Sequence, residues 1–289
     1  MDTLPLTTTQ RDALIRLVDD QSAAVRQALL AQFGRLGQEG VELLQELTRQ
    51  PNRLLARHAS WFLQELKLSD PVAEFVGFIR SLNYELETGA LLLSRTVNPD
   101  FDLVACCTRL DELAARCRQL IAEPAPPRNV CRVLNRVLFH EHGFHGNVQN
   151  YTDPLNSYLD QVLVRRMGIP ISLSIVYLLV AQRIGLDLEP VGVPGHFMVG
   201  CYLEPAPFFI DAFNQGTFRT AEDVLALLRQ NSINPHETDL MPTPVREVLC
   251  RCCRNLVNHY TAANDTEHAR LFADFVAEFE ATHERHARP

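Results

Sequence analysis

One apolar stretch governs what this chain can build. Residues 168–185 read GIPISLSIVYLLVAQRIG, with glycine at each end and proline in third place. Proline suits the first turn of a helix and glycine the position beyond its end, so the stretch reads as one buried helix from Pro170 to Gly185. Its longest apolar run, Ile169 to Ala181, is interrupted by Ser172 and Ser174 and is too short to span a bilayer.

Two strand-like runs follow, Leu188 to Leu203 and Phe208 to Phe213, with Glu204-Pro205-Ala206-Pro207 as the turn between them. Pairing Leu203 with Phe208 puts His196, behind Pro194-Gly195, and Asp211 on one face of the hairpin, because side chains alternate along a strand. A register slip of one residue would separate them. The reading is a general base oriented by a carboxylate, against a half-buried histidine bonded to Asp211 without chemistry.

The rest of the chain reads as helices. RDALIRLVDDQSAAVRQALLAQFGRLG and VELLQELTRQPNRLLARHASWFLQELK give paired helices over residues 8–66, broken at Asp19-Asp20 and at Pro51. Asp-Asp followed by Val25-Arg26 resembles a HEAT repeat, although an ordinary helical extension reads the same way. Ser69-Asp70-Pro71 marks a helix start. EPAPPR, residues 123–128, is a stiff spacer and a candidate boundary, after which Asn129 caps a helix through Phe139. Beyond Thr220 come AEDVLALLR and two longer helical runs that resemble one tetratricopeptide unit plus a cap. The division expected is therefore a helical extension over 1–68, a core domain over 69–235 and C-terminal helices over 236–289.

Charge narrows the partners. A net charge of −8 argues against general binding to nucleic acid or an anionic membrane. The first residues lack the basic and apolar blocks of a signal peptide, so a cytoplasmic protein is expected. The eight cysteines sit mostly in Leu-rich helical sequence, where free thiols act as small buried hydrophobes.

Three groups of residues could carry chemistry. Ser172 and Ser174 stand at the N-terminus of the apolar helix, where the dipole stabilises developing negative charge; Ser172 as nucleophile would need His196 close by, and capping within the helix start is the alternative. Asp153, Asn156 and the nearby Asn147 read as turn and cap residues that could equally line a cleft beside His196. His140, His142 and His145 have spacing that sometimes binds a metal, but they coincide with a helix end and lack matching carboxylates, so no metal or cofactor is expected.

Asn147, DPLNSYL, VLVRRMGIPISLS, GLDLEPVGVPGHF and FIDAF, in this order, resemble the bacterial SirB-type transglutaminase-like proteins, related to a domain in some F-box proteins. The likeness covers roughly residues 70–280. It implies an α+β, mostly helical protein with a transglutaminase-like (papain-like) core, a short antiparallel sheet on the central helix, and flanking HEAT-like and tetratricopeptide-like helices. Helix N-terminus, then His, then Asp is the order in which such enzymes deliver nucleophile, base and orienting carboxylate. His196 and Asp211 match that His and Asp. The cysteine does not match, since Pro170, Ile171 and Ser172 stand where it would be, Cys201 follows the histidine and Cys131 precedes the helix. The resemblance thus points to a non-catalytic or degenerate module that binds a peptide or protein partner. The alternatives are a hydrolase or acyl transferase using Ser172, His196 and Asp211, and a metal site at His140, His142 and His145.

Overall fold

The computed structural model describes residues 6–20, 22–66, 70–122 and 124–287. Ser69 and Glu123, which the sequence assigns to a helix start and to a spacer, lie outside the described residues. The chain divides into two compact units, residues 1–74 and 75–289.

Four helices build the first unit: α1 (Thr8–Leu17), α2 (Ala23–Leu36), α3 (Gln38–Thr48) and α4 (Arg53–Glu65). Thr7 and Asn52 cap α1 and α4 through their side-chain oxygens. The unit closes over its own apolar core, which includes Phe33, Leu44, Leu47 and Phe62. The chain enters the second unit within α5 (Pro71–Arg80), and α6 (Leu86–Arg95) and α7 (Leu103–Leu120) follow.

The 123–128 spacer separates no units, because both of its sides belong to the second. The next helix, α8 (Pro127–Asn135), starts two residues before Asn129, with Pro127 at its first turn, where a missing N–H costs nothing. It runs on into a π-helical turn, Arg136–Glu141. Then come β1 (His145–Gly146), a 3-10 turn (Pro154–Asn156), α9 (Leu159–Arg165) and β2 (Met167–Gly168), which pairs parallel to β1.

The apolar stretch forms α10 (Pro170–Arg183), buried from Pro170 through Ala181. Its Tyr177 hydroxyl lies between the Cys131 carbonyl (3.1 Å) and Asn135 Oδ1 (3.0 Å), and Arg183 bridges Glu87 and Asp111 at 2.7 Å each. A four-stranded antiparallel sheet in chain order packs beside it: β3 (Glu189–Val191), β4 (Met198–Cys201), β5 (Phe208–Asp211) and β6 (Thr217–Thr220). The Leu188–Leu203 run is thus two strands, with His196 in the loop between them.

The observed register pairs Cys201 with Phe208, two residues from the Leu203–Phe208 pairing expected. A two-residue shift keeps the strand side chains on their faces, and the turn before β4 brings His196 to Asp211. Beyond the sheet lie α11 (Ala221–Gln230), α12 (Val245–Ala262) and α13 (Thr266–Ala287). The last two pack along each other, with Tyr260 stacked on Phe272 at 5.6 Å and its hydroxyl 2.9 Å from that of Tyr158. The described residues include no helix long and apolar enough to cross a membrane.

Candidate functional site

The site begins at a turn. Val193, Pro194 and Gly195 (φ +73°) reverse the chain between β3 and β4, and the His196 N–H closes the turn on the Val193 carbonyl at 3.2 Å. Arg251 of α12 fastens this turn from outside the sheet, its Nη2 donating to the carbonyls of Val193 (2.9 Å) and His196 (2.8 Å).

His196 Nε2 lies 2.9 Å from Asp211 Oδ1 at the end of β5. Asp211 is wholly buried, whereas the His196 side chain keeps 16% of its exposure. The carboxylate is held from several sides. Asn214 donates its side-chain N–H at 2.8 Å and its backbone N–H at 3.3 Å, and Arg219 of β6 donates at 3.2 Å. Burial alone would raise the Asp211 carboxyl, but the bonds from His196 and Asn214 and the charges of His196 and Arg219 together hold it below the usual carboxylate value. An ionised Asp211 bonded to Nε2 fixes the imidazole tautomer. Nδ1 makes no hydrogen bond among the described residues.

The rings around the pair form a row. Phe213 stands edge-on to His196 at 6.3 Å, Tyr151 edge-on to Phe213 at 6.0 Å, and His259 of α12 edge-on to Tyr151 at 6.2 Å. Tyr151 is 42% exposed, while His259 is buried and its Nδ1 makes no hydrogen bond among the described residues.

The structure gives Ser172 a different task from the nucleophile's. Its hydroxyl donates to the Asn156 carbonyl at 2.5 Å and accepts from the Ile169 N–H at 3.1 Å, and it makes no bond with His196. The serine therefore ties the start of α10 to the 147–156 loop. Asn156, fully buried, donates to the carbonyls of Asn150 (2.7 Å) and Tyr151 (3.2 Å) and accepts from Asn147 at 3.0 Å. Asp153 caps the 3-10 turn and pairs with Arg165 at 2.6 Å. The Ser174 hydroxyl is buried in α10 and makes no hydrogen bond among the described residues. Asn147, Asp153 and Asn156 thus brace the loop behind Tyr151, while His196 and Asp211 come together on the hairpin.

The cysteines present no substitute nucleophile. All eight are buried. Burial pushes the Cys131 thiol up to about 12 and raises that of Cys201, so neither offers a thiolate near neutral pH. The three histidines of the metal alternative do not converge either. His140 lies in the π-helical turn, His145 bonds the Gly143 carbonyl at 2.9 Å, and the intervening Glu141 is taken by Arg116 and Arg136. Among the described residues, no three His, Cys, Asp or Glu side chains are grouped to hold a metal.

Sequence reasoning overlooked Asn214, Arg219, Tyr151, Phe213, Arg251 and His259. Arg219 was within reach: on β6, which pairs Asp211 with Thr217, it lies two residues along on the face of Asp211. Arg251 carries no local signal, because only tertiary packing brings α12 to the turn.

Residues 105–254 match the family model described as the transglutaminase-like superfamily. A UPF0162 protein of Xylella fastidiosa is 34% identical over 195 residues, which is 65% of this chain and 69% of that one. Human F-box only protein 21 is 36% identical over 149 residues, 48% of this chain but 23% of its own length. A UPF0162 protein of Vibrio cholerae is 29% identical over 131 residues, 45% of this chain and 48% of that one. No solved structure matches the chain. With a His–Asp pair on a hairpin beside a buried helix, and with a family match over more than half its length, the chain belongs to the transglutaminase-like superfamily.

Proposed function

We propose that this chain is a transglutaminase-like domain of the SirB type that binds a peptide or protein segment without processing it, in a regulatory role. One observation carries the reading: the His196–Asp211 pair is fully built, while Ser172 is bonded to the Asn156 carbonyl and the cysteines are buried. A base without a nucleophile can still recognise a ligand through its free ring nitrogen and the aromatic row beside it. In this reading the HEAT-like helices of the first unit and the tetratricopeptide-like α12 and α13 supply further surface for the partner. Neither nucleic acid nor a membrane is a partner, in keeping with the net charge of −8. Cysteines buried in helices as small hydrophobes suit the reducing cytoplasm, where we place the protein.

Two measurements test the proposal. A fluorophosphonate probe and iodoacetamide should both leave the native chain unlabelled; labelling of Ser172 would restore the hydrolase reading. A displayed random-peptide library panned against the full chain should yield binders that His196→Ala weakens at least about tenfold, or 1.4 kcal/mol. Recovery of no peptide, or of peptides indifferent to His196, would overturn the binding reading.

A further inference from the structure

The aromatic row beside His196 and the glycines of β1 and β2 meet at Phe213. A Cβ on Gly146 would lie 2.5–2.7 Å from three carbons of the Phe213 ring, so the ring rests directly on bare backbone. Glycine within a strand marks such a close approach. Gly146 pairs with Gly168, whose own Cβ position lies 2.5 Å from Ser172 Oγ. Contacts therefore run from His196 through Phe213, Gly146 and Gly168 to Ser172. The ring stands in the contact path between the imidazole and the start of α10.

This seat has the shape of a benzyl group. Gly146 supplies a floor without a side chain, and two rings supply walls: His196 at 87° and Tyr151 at 74° to the plane of Phe213. Both are the near-perpendicular arrangement that aromatic pairs prefer. The seat also reaches solvent, since Phe213 is half-buried and both walls keep part of their exposure. The turn that carries the ring is fixed. The Asn214 and Gly216 N–H groups both donate to the Asp211 carbonyl, at 3.2 and 2.9 Å, and Asn135 donates to the Gly216 carbonyl at 2.6 Å. The ring can therefore leave its seat by side-chain rotation alone, between staggered rotamers, while Asp211 stays where it holds His196.

We propose that the seat over Gly146 is a binding pocket for an aromatic side chain, and that Phe213 is its resident occupant, which swings outward when a peptide's own Phe or Tyr takes its place. A ring from outside regains both perpendicular contacts, which a branched aliphatic side chain does not, so the pocket selects aromatic over aliphatic residues. Phe213 competes with the incoming ring and lowers apparent affinity by the fraction of molecules in which the seat is open. This deepens the peptide-binding reading and rests on it for the peptide alone; the pocket is tested by itself.

The test uses the full chain with its histidine rings labelled for NMR, and benzyl alcohol as the probe. In Phe213→Ala, benzyl alcohol should shift the His196 ring signals saturably, and at least about tenfold more tightly than in the unaltered chain, where Phe213 competes. Cyclohexylmethanol, of similar size but without an aromatic face, should bind severalfold more weakly. No saturable shift in the variant, equal affinity in variant and unaltered chain, or no preference for the aromatic alcohol overturns the proposal. Gly146→Ala added to Phe213→Ala should abolish the shift, because the new methyl fills the floor of the seat; retained binding places the alcohol elsewhere and overturns the assignment. Should Phe213→Ala not fold, Phe213→Val, which keeps apolar bulk without a ring, makes the same comparison. Peptides from the panned library then address the ligand. Exchanging a peptide's aromatic residue for leucine should weaken it about tenfold, and Phe213→Ala should tighten it. Peptides that need no ring, or that Phe213→Ala weakens, remove the pocket's role and leave the binding reading intact, whereas a benzyl alcohol site with no recoverable peptide removes the binding reading alone.

Discussion

Asn156 shows how much of this site is held by residues that never meet a ligand. Its buried side chain makes three hydrogen bonds, so Asn156→Ala would orphan the Asn147 amide and the Tyr151 carbonyl and leave the Asn150 carbonyl with the Asp153 N–H alone. The expected cost is about 3 kcal/mol, read as a fall in the urea midpoint with unchanged slope; a loss under about 0.5 kcal/mol would show that the loop does not depend on it. His259 sets a different expectation. Burial lowers its value from the usual histidine range, with Asp153 opposing, so the unfolded chain binds more protons than the folded one as pH falls through about 6.5. Stability is therefore lost on acidification through that window. The urea midpoint should fall between about pH 7.5 and pH 5.5, and fall less in His259→Gln. His58 and His142, also lowered by burial first, act in the same direction. Asp211, held low, keeps its contribution until the pH drops below the ordinary carboxylate range.

Among the elements, α10 and the β4–β5 hairpin were legible in sequence, for different reasons. Proline at one end and glycine at the other bound an apolar stretch that only a buried helix satisfies, and Pro170 does begin α10. The hairpin's register was misplaced by two residues, yet the face assignment survived because the side-chain period is two. The two-residue strands β1 and β2 were not legible, since so short a pair carries no periodicity. They matter nonetheless. A Cβ on Gly146 would lie 2.5–2.7 Å from three carbons of the Phe213 ring, which cannot swing aside as a flexible chain tip could. Gly146→Ala should cost about 1–3 kcal/mol and move the His196 ring signals in NMR, because Phe213 stands between the two. An undisturbed His196 spectrum would show that the ring row is looser than its spacing implies.

Across the whole molecule, the cysteines give the plainest expectation. Every thiol is buried, and burial raises Cys117 and Cys252 to about 12 and Cys250 to about 11. The native protein should react with Ellman's reagent at none of its eight cysteines within minutes at neutral pH, and at all eight in denaturant; one fast native thiol would contradict that burial. The reading of these cysteines as small hydrophobes came from their Leu-rich helical surroundings, which the sequence displays. The placement of Arg251 was hidden, because a residue's role across a tertiary contact leaves no mark on its neighbours in the chain. That contact has a mechanical consequence. The turn bearing His196 is pinned by a guanidinium 55 residues later, on a helix that packs against α13 through Tyr260 and Phe272. The aim of the imidazole is thus set from outside the sheet, and whatever shifts or grips the C-terminal helical pair steers the histidine as a tiller steers a rudder.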